Sequence, residues 1–176
     1  MNRLEQAITT ISDYPSPGVQ FRDITSLVEN PQAFAEACEQ LAAPFADAGI
    51  QKVLAIEARG FIFGGAVAVA LGAGMVMARK PGKLPRKVIA QTYELEYGKD
   101  MLCLHVDAIK PGERVLLLDD LIATGGTAMA ATDLAQKLGA EVVAASFVVA
   151  LPELGGLGRL QARNIQTHAL LEYEGD

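Results

Sequence analysis

The chain has 176 residues, 51% of them apolar and 20% charged, with a net charge of −6 at pH 7. That length fits one domain with a full hydrophobic core, and the apolar share excludes a disordered chain. The acidic balance argues against a general affinity for nucleic acid or an anionic membrane, while leaving room for a local basic pocket.

Leu4, Ala7, Ile8 and Ile11 recur at helical spacing, so a short helix opens the chain. Residues 1–14 mix charge and polarity without a long apolar core, and no secretory leader is expected. Pro15 and Pro17 break the helix, and residues 19–27 read as irregular. Asn30 is a good N-cap and Pro31 a good first helical residue. The stripe Phe34, Ala37, Cys38, Leu41, Phe45 and Ala48 follows one helical face, which Pro44 should kink or shorten and Gly49 can end. Residues 52–56 form the first core strand, 61–71 a helix and 75–78 a second strand. Residues 60–78 carry no charge and are nearly long enough to span a bilayer. The break at Gly72-Ala-Gly74 favours a buried helix followed by a core strand instead.

Residues 79–100 are polar, basic at their start and rich in Pro and Gly, with strand-like pieces such as 88–93. Long segments of this kind are often lids. Residues 101–106 read as another strand, Pro111-Gly112 as a turn and 115–118 as the third core strand. A helix from Gly126 buries Ala128, Ala131, Leu134, Ala135 and Leu138 and stops at Gly139; strands at 142–151 and 167–173 follow. The βα alternation predicts an α/β fold with a mostly parallel central sheet flanked by helices. No repeat, low-complexity tract or second domain is visible. Cys38 and Cys103 lack metal-ligand spacing and read as buried, reduced thiols of a cytosolic protein. His105 and His168 fall in strand-like runs and read as structural, and Asp107 has no assigned role.

The most informative stretch is 115–127, V-L-L-L-D-D-L-I-A-T-G-G-T. An aliphatic strand ends in Asp119 and Asp120, where ligands of parallel sheets bind. The helix that follows offers unpaired N–H groups and a positive dipole end to a phosphate. Gly125 and Gly126 let backbone amides approach closely, and Thr124 and Thr127 add hydroxyls. Neither G-x-x-x-x-G-K-[ST] nor G-x-G-x-x-G is present. The blander readings are that the two aspartates end a strand and that Thr124 caps the helix. Acids beside a phosphate nest point instead to a ligand with hydroxyls and phosphate, together with a divalent metal.

Asp119-Asp120 with Ala123-Thr-Gly-Gly-Thr127 resembles the phosphoribosyl-pyrophosphate (PRPP) site of type I phosphoribosyltransferases. Gly18-Val-Gln-Phe-Arg-Asp-Ile24, Glu57-Ala-Arg-Gly-Phe61, Arg79-Lys-Pro-Gly-Lys-Leu-Pro85 and Tyr93-Glu-Leu-Glu-Tyr-Gly98, in that order, are similar to the adenine branch of that family. The likeness covers nearly the whole chain. One departure is Ala150, where the family usually carries an acid.

The resemblance implies a type I phosphoribosyltransferase fold in one domain, 1–176, with an N-terminal hood (1–30) and a long flexible lid loop (79–100). It implies transfer of phosphoribose from PRPP to adenine, giving AMP and pyrophosphate with Mg²⁺. Asp119 and Asp120 would hold the ribose, directly or through water and metal, and Ala123, Thr124, Gly125, Gly126 and Thr127 the 5′-phosphate. Arg59, Arg79, Lys80 and Lys83 would meet pyrophosphate; the bland reading of the last three is a solvated basic loop. Val19, Gln20, Phe21 and Arg22 would bind adenine, with Phe21 stacking on the ring and backbone groups near Gln20 and Arg22 reading its edge. Periodicity alone makes Phe21 a core residue. Glu96 would handle the base's proton, or be an exposed loop glutamate. A cytoplasmic homodimer is implied, with a lid cation reaching the partner's site. The alternatives are a transferase for another base, such as xanthine or orotate, and a non-catalytic PRPP-sensing regulator. Residues 19–24 argue against the first; the negative charge and the lack of room for a DNA-binding extension argue against the second.

Overall fold

The computed structural model describes residues 2–95 and 98–174. Helix α1 (Arg3–Ala7) opens the chain, capped by Asn2, whose side chain accepts from the Leu4 amide at 2.7 Å. It stops short of Ile11. Thr9–Ser12 is instead strand β1, paired antiparallel with β2 (Gln20–Asp23). The expected irregular stretch 19–27 is therefore a strand followed by helix α2 (Thr25–Glu29). Local spacing pointed to a helix at 8–11, but cross-strand pairing with a distant segment decided the outcome.

Helix α3 (Pro31–Ala42) starts as expected, with the Asn30 side chain accepting from the amides of Gln32 and Ala33. Near Pro44 the chain tightens into a 3₁₀ turn, Ala43–Phe45, because proline cannot supply the next helical N–H. Strand β3 (Lys52–Ile56), helix α4 (Gly60–Leu71) and strand β4 (Gly74–Ala78) follow, the helix ending at Gly72 with φ +63. Half of the expected lid, 88–95 and 98–100, belongs to an antiparallel ribbon of β5 (Val88–Leu95) and β6 (Gly98–His105), leaving 79–87 as loop. Then come β7 (Arg114–Ile122), α5 (Gly126–Lys137), β8 (Glu141–Ala150), a 3₁₀ turn at Pro152–Leu154, α6 (Gly156–Gln161) and β9 (Gln166–Glu172). Cys103 is buried as expected, whereas Cys38 is half-buried; burial pushes its thiol up to about 11.

The central sheet has the order β4-β3-β7-β8-β9, all parallel. Successive residues of β7 face opposite sides, and both sides are apolar. Val115 and Leu117 pack with α5, α6 and the β5–β6 ribbon. Leu116 and Leu118 pack with α1–α4. The helices thus seal both faces and leave the carboxyl end of the sheet to chemistry.

Candidate active site

The cleft arises from unequal strand lengths. Strand β3 pairs with β7 only as far as Ala55↔Leu118, whereas β8 follows β7 to Ile122↔Ala150. Beyond Leu118 the β3 side of β7 is open. Asp119 and Asp120 lie on that overhang, still in strand conformation, rather than in a loop beyond the strand. Two cavities meet there. One, of about 260 Å³, is walled by Arg59, Lys80, Tyr93, Asp119 and Asp120. The other, of about 240 Å³, is walled by Ala123, Thr124, Gly125, Gly126 and Thr127. Asp119, Leu121 and Thr127 belong to both.

Arg59, from the β3–α4 turn, donates Nε to Asp120 Oδ2 at 2.6 Å. Burial works against its charge, but that bond and the Asp120 charge hold its pKa above the usual arginine value. Asp119 is different. It packs against Gly60, where a Cβ would stand 2.8 Å from Asp119 Oδ1. Burial first, and the neighbouring Asp120 carboxylate second, push Asp119 well above the ordinary carboxylate range. Its Oδ1 accepts from the Asp120 amide at 2.9 Å.

Helix α5 has no side-chain cap. Thr124 does not fill that role; the cap position is Gly125, at φ +80. The amides of the first turn therefore face the second cavity without a side-chain acceptor, a setting that suits an anion.

The basic segment is more tightly held than a solvated loop. Arg79 Nε and Nη2 donate to Glu57 at 3.1 and 3.3 Å, and Nη1 donates to the Lys83 carbonyl at 3.2 Å. The Lys80 amide donates to Glu57 Oε2 at 2.8 Å. Burial opposes the Glu57 charge, but these bonds leave its pKa below the ordinary value. The Lys80 ammonium donates to Asp100 and, at 3.0 Å, to Tyr93 Oη. Lys80 reaches the cleft, the Arg79 guanidinium is turned to Glu57, and Lys83 is exposed, its charge felt by Glu57.

Phe21 is not a core residue. It is half-buried on β2, edge-on to Tyr14 with ring centroids 5.1 Å apart. The Arg22 guanidinium lies over Tyr173 and donates to Thr10 Oγ1 at 2.6 Å; Gln20 Oε1 accepts from Ser12 at 3.0 Å; Val19 is exposed. None of these four lines either cavity, but β2 ends at Asp23, whose charge acts on Arg59, so this strand leads to the cleft rim. Glu96 lies outside the described residues.

Sequence reasoning gave no part to Glu57, Gly60, Tyr93 or Asp100. Glu57 stood two residues from Arg59 in a segment already singled out, which was the available signal; the basic run it holds begins 22 residues further on. The partnership of Asp100 with Lys80 needs the ribbon's register, which no local pattern announces.

A model of the phosphoribosyl transferase domain matches residues 24–164. The chain is 53% identical, over 98% of its length and 95% of the relative's, to an adenine phosphoribosyltransferase of Methylobacterium radiotolerans. Among solved structures, adenine phosphoribosyltransferase from Rhodothermus marinus is 48% identical with a TM-score of 0.89, covering 97% of this chain and 96% of that one. The Saccharomyces cerevisiae enzyme, solved with an imino-altritol bisphosphate and adenine, is 37% identical with a TM-score of 0.88 and 96% coverage of both chains.

Proposed function

The chain belongs to the adenine phosphoribosyltransferases of the phosphoribosyl transferase family, and from that premise we propose that it transfers the 5-phosphoribosyl group of PRPP to adenine, giving AMP and pyrophosphate in purine salvage. One observation carries the reading. Asp119 stands between a cavity walled by the cations Arg59 and Lys80 and a cavity walled by uncapped backbone amides. A ribose with pyrophosphate at C1 and phosphate at C5 has that polarity, with its hydroxyls in the middle.

On this reading Ala123, Thr124, Gly125, Gly126 and Thr127 hold the 5′-phosphate. Asp119 and Asp120 hold the ribose hydroxyls, and their charge favours the positive character that C1 gains as its bond to oxygen breaks. Arg59 and Lys80 meet the departing pyrophosphate, with Arg79 and Lys83 behind them. Adenine stacks on Phe21, and backbone groups at Gln20 and Arg22, next to Val19, bond its edge. A carbonyl that accepts from the 6-amino group rejects a 6-oxo purine by being left unpaired. Glu96 takes the proton from the imidazole side of the base as N9 attacks.

Phosphoribosyltransferases generally use Mg²⁺ with PRPP. Among the described residues no three His, Cys, Asp or Glu side chains gather into a metal cage. The adjacent carboxylates Asp119 and Asp120 suit an ion held chiefly by substrate oxygens and water, with one of them approaching through water. When bound, the ion neutralises pyrophosphate charge. The working unit is a cytoplasmic homodimer of single-domain chains, with 1–30 as hood, 79–100 as lid and a lid cation reaching the partner's site. Among the described residues no helix is long and apolar enough to cross a membrane. A sedimentation mass of one 18.6 kDa chain counts against the dimer.

The deciding experiment supplies adenine, PRPP and Mg²⁺ and reads AMP by chromatography, with hypoxanthine and guanine as competitors. Adenine alone is expected to react. No AMP from folded protein sinks the transferase reading, and equal competition by hypoxanthine sinks the account of Gln20 and Phe21.

A further inference from the structure

We propose that Gly156 and Arg159 are positioning residues that aim the amides of the phosphate loop from behind; this rests on the reading of residues 123–127 as that loop. Three successive carbonyls, of Ile122, Ala123 and Thr124, each accept one donor from the segment 151–159. The Leu151 amide reaches the first at 2.9 Å, the Gly156 amide the second at 3.0 Å and Arg159 Nη1 the third at 3.0 Å. These peptide bonds are trans, so each N–H points opposite to its C=O. Holding the carbonyls on the α6 side turns the amides of Ala123, Thr124 and Gly125 the other way, toward the cavity that these residues line. Among the described residues no protein group accepts from the Thr124 or Gly125 amide.

The fit behind the loop admits no side chain. A Cβ at Gly156 would lie 2.3 Å from the Ala123 carbonyl oxygen, 2.8 Å from Ile122 Cγ1 and 2.9 Å from the Gly125 nitrogen. Two glycines meeting back to back, Gly125 and Gly156, let α6 come close enough to bond the loop. Arg159 itself is exposed and borders a different cavity, with Asp133 and Arg163, so it acts on the ligand only through Thr124. A loop ordered beforehand binds phosphate without the cost of freezing its peptides. Nothing in 119–127 reveals this support, which lies about thirty residues downstream.

The test compares wild type with Arg159→Met, which keeps the stem and removes the donors, with Arg159→Lys, which keeps a donor, and with Gly156→Ala. Two readouts are taken: KM for PRPP and for adenine with kcat, and ribose 5-phosphate titrated into ¹⁵N-labelled protein, following the amides of residues 124–126. Arg159→Met is expected to weaken PRPP and ribose 5-phosphate about two- to tenfold, the worth of one hydrogen bond. Adenine KM should stay within about twofold and the melting midpoint within about 2 °C. Arg159→Lys should recover part of the loss and Gly156→Ala should lose more. Unchanged ribose 5-phosphate affinity in folded Arg159→Met overturns the proposal, as does an equal rise in both KM values. If wild type makes no AMP yet its ribose 5-phosphate affinity depends on Arg159, the transfer reading fails and this one stands. Wild type that binds no ribose 5-phosphate overturns both.

Discussion

Asp119 carries an acidic charge that the fold does little to relieve. It packs against Gly60 on one side and opens to both cavities on the other, while Arg59 gives its short contact to Asp120. Burial and the Asp120 charge raise its pKa, so ionising it at neutral pH costs the folded chain stability. The same uncompensated charge is what a site favouring positive character on a sugar requires. Asp119→Asn keeps the oxygen that accepts from the Asp120 amide and removes the charge. It is expected to cut kcat about 100-fold or more while raising the melting midpoint by about 2–4 °C, the effect of roughly 1 kcal/mol in a chain of this size. Calorimetry and AMP formation check the two halves; a midpoint at or below that of wild type would mean that the charge is already compensated.

Helix α4 is the element on which the cleft depends, because it starts at Gly60 beside Asp119 and presses on β3. Glycine inside a helix is less favourable than alanine by about 1 kcal/mol, so Gly64→Ala would strengthen an isolated helix. In this fold the new Cβ would stand 2.5 Å from the Ala55 Cβ, a short side chain on a central strand that cannot swing away. Overpacking of this kind costs about 1–3 kcal/mol, so repulsion wins. Gly64→Ala should melt below wild type and raise the KM for PRPP by displacing Arg59. Gly65→Ala is its control: the nearest atom is Met75 Sδ at 3.9 Å, and propensity alone should hold or raise its midpoint. A Gly64→Ala protein as stable as the Gly65→Ala one would refute this account of the α4–β3 contact. Elements were legible where the signal was local. The Asn30-Pro31 start of α3 and the aliphatic strands β3 and β7 agree with the sequence reading because caps and buried runs are properties of neighbouring residues. The β1–β2 pair escaped it wholly; for the β5–β6 ribbon, strand character at 88–93 and 101–106 was read but the pairing was not, because these hydrogen bonds join separate segments.

For the whole molecule, the acid limb of stability should report the network that ties the basic loop to the sheet. Burial opposes the Glu57 charge, but the bonds from Arg79 and Lys80 outweigh it, and Lys80 lowers Asp100. A carboxylate whose folded pKa is lowered contributes stability that is complete above its unfolded value and is lost as pH falls through the folded one. The midpoint should therefore begin to fall as pH drops below 4.5 and 3.8, the ordinary values of the two groups, and continue falling below them. Glu57→Gln should lower the neutral-pH midpoint by about 2–6 °C, the loss of roughly 1–2 kcal/mol of paired hydrogen bonds, and flatten the acid limb. Melting curves from pH 7 to pH 3 test this, and an unchanged acid limb in the variant would remove Glu57 from the network. The sequence by itself determined the alternating α/β architecture, the order of the parallel-sheet strands along the chain and the group at 119–127, since a strand, two acids and a glycine-rich helix start are contiguous. Only the tertiary structure decided that β7 outgrows β3 to open the cleft, that Glu57 holds Arg79 and the Lys80 amide, and that Gly156 and Arg159 stand behind the phosphate loop. Each of these is a relation between residues about twenty or more positions apart, and such relations arise from packing and pairing rather than from any residue's own preference.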